Sequence, residues 1–244
     1  MRHTRHGEHL TQLTRWELLF PVNCYLVRED DGLTLVDTGM PNMVGGILAA
    51  ARKLDAPIRR IALTHGHMDH AGGLAALHTA LPDAEVLLST REAPLLAGDR
   101  QVLPGEPQAV VRGGWPKQVV APTRTLEPGE RVGSLRVTAA PGHTPGQIAF
   151  LDERDGTLIA GDAYSTHTGV TVCGTSHLLF PFVAMGTWHQ PTALTTAKAL
   201  RALDPIRLAT GHGPVLERPS SAMNAAIAAM ERALATNGGS AHAS

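Results

Sequence analysis

The sequence predicts an α/β protein built in layers, and three observations carry that expectation. Apolar strand signals and helical signals alternate along the chain. Short hairpin connections are mixed with longer crossovers, which argues against a purely parallel sheet. The 244 residues, 43% of them hydrophobic and 18% charged, suffice for a sizeable core and have an ordinary folded composition.

In chain order, residues 1–12, with His3, His6 and His9, are expected to form a solvated, frayed leader. Residues 23–27 and 33–37 are apolar runs joined by Arg28-Glu29-Asp30-Asp31-Gly32. They read as a β-hairpin, because Asp and Gly tolerate the positive φ of a tight turn. Residues 43–54 have helical character closed by Asp55 and Pro57, and 59–63 form a strand entering a histidine-rich loop. Residues 71–81 read as a helix with Gly72 and Gly73 in its first turn, 85–89 as a strand and 91–96 as a short helix. Residues 97–122 turn rich in Gly, Pro and Gln without periodicity, a long loop. Strands follow at 131–139, 147–151 and 157–160, with turns at Gly133 and Asp155-Gly156. Residues 164–190 form a second long segment, expected to face substrate. A helix at 191–203, a strand at 207–209 and an amphipathic helix at 220–235 complete the order before a frayed tail at 237–244. No short-period repeat is visible, so residues 1–244 are read as a single domain.

Composition narrows the function. Lys plus Arg (21) nearly balance Asp plus Glu (22), and no basic run is present, which weighs against nucleic acid as the partner. No stretch approaches the roughly 20 apolar residues of a membrane span. The first residues lack the apolar centre of a secretory signal. Cys24 and Cys173 read as buried free thiols, and the cytoplasm is the expected location.

The chemistry concentrates in Thr64-His65-Gly66-His67-Met68-Asp69-His70-Ala71-Gly72-Gly73, with four candidate ligands within six residues between a strand and a helix. Residues two apart on an extended segment share a side, so His65 and His67 can face one ion. Asp69 and His70 follow as the chain turns into the helix and can reach a second. Imidazole with carboxylate suits Zn, Fe or Mn rather than the all-oxygen shells of Ca or Mg. Three later candidates each sit in a Gly-bearing loop after a strand: His143 in Pro141-Gly142-His143-Thr144-Pro145-Gly146, Asp162 in Gly161-Asp162, and His212 in Thr210-Gly211-His212-Gly213-Pro214. Ligands gathered from several strand ends gain rigidity.

These motifs, in this order, resemble the metallo-β-lactamase superfamily from about residue 23 to residue 212. The resemblance implies an αββα sandwich of two mixed β-sheets with helices on the outer faces. It further implies a site for two divalent metal ions, zinc being the first expectation and Fe or Mn the alternatives. By the family pattern His65, His67 and His143 bind the first ion, Asp69, His70 and His212 the second, and Asp162 bridges both. Asp37, in Val36-Asp37-Thr38-Gly39, matches an early strand-end aspartate that supports the site rather than binding metal. True β-lactamases of this fold usually carry cysteine where Asp162 stands, and Cys173 lies too far along to replace it. The flavin-linked diiron branch has Glu where this chain has His67. Only Arg232 is basic in the last helix, unlike the glutathione-binding region of glyoxalase II-like members, and no RNase Z-like basic arm is present.

The expectation is therefore a hydrolase that cleaves a small ester-type substrate with a metal-bridging hydroxide, lactone first and thioester next. Asp69 is expected to orient the nucleophile and take its proton. Tyr164 has two readings, an oxyanion donor or a packing residue with a satisfied hydroxyl. Phe20, Phe180, Phe182 and Trp188 either line an apolar pocket or pack in the core. His167 and His177 read as surface or supporting histidines. The alternatives are an iron-dependent, persulfide dioxygenase-like oxidoreductase, a phosphodiesterase, and a non-catalytic metal-binding module. The partner is a small molecule, and the oligomeric state stays open between monomer and homodimer.

Overall fold

Alternation along the strands decides the layering. In β3 (Val22–Glu29), Cys24 and Leu26 face one apolar cluster while Tyr25 and Val27 face another, as a two-residue side-chain period requires. The computed structural model describes residues 1–175 and 180–240. A seven-stranded sheet runs β1 (Arg2–His6), β2 (Leu10–Arg15), β3, β4 (Gly32–Val36), β5 (Ile58–Ala62), β6 (Glu85–Ser89), β7 (Arg124–Leu126). It is an antiparallel meander as far as β4 and parallel from β4 to β7. A six-stranded sheet has the order β15 (Leu216–Glu217), β14 (Arg207–Ala209), β11 (Thr157–Ile159), β10 (Ile148–Asp152), β9 (Leu135–Ala139), β8 (Arg131–Val132). Only its β11–β14 pair is parallel.

Three apolar layers result. The middle one packs Tyr25, Val27 and Val36 of the first sheet against Val137, Ile148 and Phe150 of the second. The outer face of the first sheet buries Leu33, Leu35 and Ile61 with Ile47 of α1 (Val44–Lys53) and Leu74 and Leu77 of α3 (Leu74–Ala80). The outer face of the second buries Ala149 and Leu158 with Ala197 and Leu200 of α6 (Gln190–Ala202) and Met223 and Met230 of α7 (Ser220–Ser240). This is the αββα sandwich. No helix among the described residues is long and apolar enough to cross a membrane.

Several local expectations are corrected. Residues 1–12 are not a frayed leader: β1 pairs residue for residue with β2, and β2 with β3. Their backbone hydrogen bonds hold a segment whose polar side chains carry no strand-like signal of burial. The helix expected at 71–81 begins earlier, as α2 (Met68–Ala71), which takes in Asp69 and His70, and resumes as α3 after Gly72-Gly73. A Cβ on Gly73 would meet the Thr38 carbonyl at 2.6 Å, so only glycine lets the helix start approach the end of β4. The segment 164–190 contains a hairpin of β12 (Tyr164–Ser165) with β13 (Thr171–Val172) and the short α5 (Phe182–Gly186). α7 continues through the start of the expected tail to Ser240, and residues 241–244 lie outside the described residues, as does His177.

Candidate metal centre

Each ligand candidate lies just beyond a strand of one sheet or the other. His65 and His67 follow β5, and Asp69 and His70 stand on α2. His143 sits in the turn between β9 and β10, Asp162 in a 3-10 turn (Gly161–Ala163) after β11, and His212 after β14. The structure brings all seven together. His65, His67 and His143 form one cluster, His65, His70 and Asp162 a second, and Asp69, His70 and His212 a third, with ligand atoms inside each within 4.8 Å. All are buried except Asp69, whose side chain is 21% exposed. Asp162 lies between the groups, its Oδ2 3.2 Å from His212 Nε2 and 3.5 Å from His143 Nε2, its Oδ1 3.3 Å from His70 Nε2.

The outward nitrogen of every imidazole is engaged by an acceptor, which fixes where the lone pairs point. His67 Nε2 donates to the Arg112 carbonyl at 2.9 Å, leaving Nδ1 bare. His212 Nδ1 donates to the Pro21 carbonyl at 2.6 Å, and His70 Nδ1 to Asp37 Oδ2 at 2.8 Å. The Thr187 hydroxyl spends its proton on the Val183 carbonyl and accepts from His143 Nδ1 at 3.2 Å. The Thr64 hydroxyl donates to Asp37 and accepts from His65 Nδ1 at 3.1 Å. All five remaining lone pairs turn inward. His67 Nδ1 and His143 Nε2 then face each other at 3.0 Å with no proton between them, a repulsive arrangement without a cation. His65 Nε2, His70 Nε2 and Asp162 Oδ1 are buried with no hydrogen bond. The donor set therefore fits metal ions.

Asp37 organises this half of the site. Its backbone is left-handed (φ 60°), and its carboxylate accepts from the Thr64 amide at 2.8 Å, from the Thr64 hydroxyl and from His70. The electrostatics divide the centre in two. Burial first, with like-charged imidazoles after it, drives His65 well below its ordinary value, and burial takes His143 down to about 3 despite Asp162. At His212 burial is outweighed by Asp162 and Asp69, which push it up to about 10. His70 rises likewise, against burial, beside Asp162, Asp37 and Asp69. Against the desolvation that would raise them, the partly exposed Asp69 and the buried Asp162 are both held below the carboxylate range by His70 and His212. The carboxylates call for positive charge on one side, while the other offers neutral imidazoles.

Tyr164 is not part of the centre. It is fully buried, and its hydroxyl donates to the Ala197 carbonyl of α6 at 2.7 Å. The 3-10 turn at Gly161–Ala163 breaks the two-residue alternation that would have carried Tyr164 to the side of Asp162. Of the four aromatics, Phe20 and Phe182 line a cavity of about 470 Å³ over the ligands. Phe180 packs behind them against His212, and Trp188 donates to the Ala109 carbonyl. The cavity is otherwise walled by Met40, Met68, Val183 and Met185, with no Lys or Arg among its described lining residues. His167 lies edge-on to Phe180, 4.8 Å between ring centroids. Cys24 and Cys173 are buried free thiols.

Two supports were not anticipated. The loop 97–122 wraps over His67: Arg112 holds its ring, Gly114 accepts from the Met68 amide at 2.8 Å, and Trp115 stands edge-on to it. Backbone carbonyls leave no side-chain signature, so composition could not reveal this. The other is Glu92, fully buried at the start of α4 (Glu92–Leu96). Burial raises its carboxyl to about 7 despite hydrogen bonds from Thr144, Gly66 and Gly146. Its signal was the spacing Ser89-x-x-Glu92, which reads as a helix capping box.

Comparison with known proteins agrees with this geometry. Residues 18–212 match the metallo-beta-lactamase superfamily. The chain is 45% identical over 217 residues to "Uncharacterized protein YobT" of Bacillus subtilis, covering 88% of this chain and 93% of that one. It is 28% identical to "Probable metallo-hydrolase YflN" of the same organism, covering 78% and 80%. The crystal structure of TTHA1623 in a di-iron-bound form is similar with a TM-score of 0.64 and 30% identity, over 86% of this chain and 96% of that one. The chain belongs to the metallo-β-lactamase superfamily and is a metal-dependent hydrolase.

Proposed function

We propose that the protein hydrolyses a small, uncharged ester-type substrate with an apolar portion, a lactone first and a thioester next. The observation that carries this reading is the convergence of seven ligand side chains beneath a cavity walled by Phe, Met and Val, with no Lys or Arg among its described lining residues. Two divalent ions held by His65, His67, His143, Asp69, His70, His212 and Asp162 would supply Lewis acidity and a water acidic enough to ionise near neutral pH. Zinc is the first assignment and iron the second, the latter because TTHA1623 was crystallised with two irons.

The chain's own contribution is positioning and proton handling. Asp69 is the ligand candidate most open to the cavity, and His70 and His212 keep its carboxyl ionised against burial. It is the group that can take a proton from the attacking water and return it to the leaving alcohol or thiol. Phe20, Phe182 and Met185 cover the substrate's apolar part and keep bulk water from it. The same wall, with no Lys or Arg among its described residues, disfavours a phosphodiester, whose charge calls for one. Buried free cysteines suit a reducing cytoplasm, where we place the reaction.

The test is proton release at constant pH from the metal-loaded protein on acyl-homoserine lactones, simple lactones and a glutathione thioester, with Asp162→Ala in parallel. Turnover of one class, lost in the variant, supports the reading. Silence across the panel with two ions bound would overturn it. Oxygen uptake with a persulfide would move the assignment to the iron oxidoreductase.

A further inference from the structure

Glu92 is a carboxylate with no exposure and, among the described residues, no ion-pair partner within 4 Å. Such a group is costly to bury, and it persists only where hydrogen bonds compensate it. Its partners are specific. Oε1 accepts from the Gly66 amide at 2.9 Å, and Oε2 from the Thr144 hydroxyl at 2.7 Å and the Gly146 amide at 3.1 Å. Gly66 stands between His65 and His67, and Thr144 follows His143. One carboxylate thus ties the loop after β5, in the first sheet, to the turn between β9 and β10, in the second.

Packing tightens the same junction. Ser89 Oγ accepts from the Glu92 amide at 3.0 Å and donates to the Gly146 carbonyl at 2.5 Å. A Cβ on Gly146 would lie 2.3 Å from the Glu92 nitrogen, so the turn is pressed against the start of α4. In a capping box the Glu side chain turns back to the backbone of the Ser. Here only the Ser half is made, and the Glu side chain crosses to the two ligand-bearing loops.

We infer that Glu92 is a positioning residue for the His65–His67–His143 cluster: it holds the two loops at the separation at which the three imidazoles converge. It hydrogen-bonds to no ligand side chain, and in the opposite cluster of Asp69, His70 and His212 the imidazoles are held by other groups, His70 by Asp37 and His212 by the Pro21 carbonyl. Loss of Glu92 should therefore weaken one metal equivalent and spare the other, whereas a general packing role would weaken the fold and both equivalents together. The inference rests on the two-ion reading of the centre but not on any substrate.

The experiment titrates Co(II) into the metal-free full-length protein, follows its visible d–d absorption, and then removes the metal with a chelator of graded concentration. Glu92→Ala, Glu92→Gln and Thr144→Val are compared with the unaltered protein, and thermal unfolding of each metal-free chain serves as the control for folding. Glu92→Ala should lose affinity for one equivalent by about 10–100-fold, the usual effect of removing a ligand's support, with a changed spectrum for that equivalent alone. Glu92→Gln keeps one carbonyl oxygen and should fall between, and Thr144→Val, which removes one donor of three, should show the smallest effect. Unchanged affinities in folded Glu92→Ala would overturn the inference. So would equal loss of both equivalents, in all three variants, in step with a lowered unfolding temperature. If the unaltered protein takes up a single equivalent, the two-ion reading fails, and Glu92 is then judged on that equivalent: weakening supports the inference and no change overturns it.

Discussion

A single methyl group on the loop over His67 tests how the centre is held. Gly113 has φ 98°, a backbone conformation open to glycine, and its ideal Cβ would lie 2.1 Å from His67 Nε2 and 2.5 Å from Cε1. Ordinary contact begins near 3.4 Å, so in Gly113→Ala the ring or the loop must give way by more than 1 Å. Holding alanine at this φ costs about 1–3 kcal/mol, and the loop is exposed enough to relax instead. Relaxation breaks the 2.9 Å bond from His67 Nε2 to the Arg112 carbonyl. That bond is worth about 0.5–1.5 kcal/mol net, and its loss also frees the ring to turn Nδ1 away from His143. The expected result is a global stability within about 1 kcal/mol of the parent and a drop of about 10–100-fold in affinity for the ion at His65, His67 and His143. Chelator competition on the loaded protein measures it. Gly114→Ala is the control, because a Cβ there meets nothing within 4 Å. Equal, parent-like affinities in both variants would refute the idea that this loop sets the His67 ring.

Other expectations follow from neighbouring groups. Asp37→Asn keeps a side chain that tolerates φ 60° but removes the charge that anchors His70 and, through Thr64, His65. Both metal equivalents should weaken by about 10–100-fold, read by the same competition, and an effect on one alone would contradict the shared anchor. Tyr164→Phe should lower stability by about 1 kcal/mol through the lost bond to Ala197, with kcat/KM unchanged within about twofold; a large loss of turnover would restore a catalytic role to its hydroxyl. In the metal-free chain, His143 falls to about 3 and His212 rises to about 10 from the ordinary 6.5. The lowered His143 removes stability as pH falls from 6.5 towards 3, and the lowered Asp69 and Asp162 add to that loss below their ordinary range. The raised His212 contributes stability that is complete below 6.5 and is lost as pH rises towards 10. Denaturant unfolding of the metal-free protein from pH 4 to pH 10 should therefore peak near the crossover, and a monotonic profile would contradict these shifts.

The legible parts of this protein were those written in side chains close together in sequence. His-x-His-x-Asp-His and the Gly-bearing turns around His143, Asp162 and His212 announce their chemistry locally, and the apolar runs at 23–27 and 33–37 announce their strands. What stayed hidden runs through the backbone or across long separations. β1 is polar and is held by pairing with β2, not by a buried face. The strands β8, β12, β13 and β15 are two residues long, too short for any period to show. The direction of Tyr164 depended on one 3-10 turn, and the anchoring of His67 on one carbonyl. Glu92 went unread because its partners lie 26 and 52 residues away.

The ligands come from both sheets: His65, His67, Asp69 and His70 from the rim of the first, His143, Asp162 and His212 from the rim of the second. Bound ions would therefore cross-link the two halves of the chain as a clasp does, beyond the apolar layer between them. Mass action then ties the protein's lifetime to metal supply, since an ion present at 100 times its dissociation constant adds about 2.7 kcal/mol to the folded state. A cell short of metal would lose the catalyst twice, first as an idle enzyme and then as a chain that opens along the seam between its sheets and becomes a target for proteolysis.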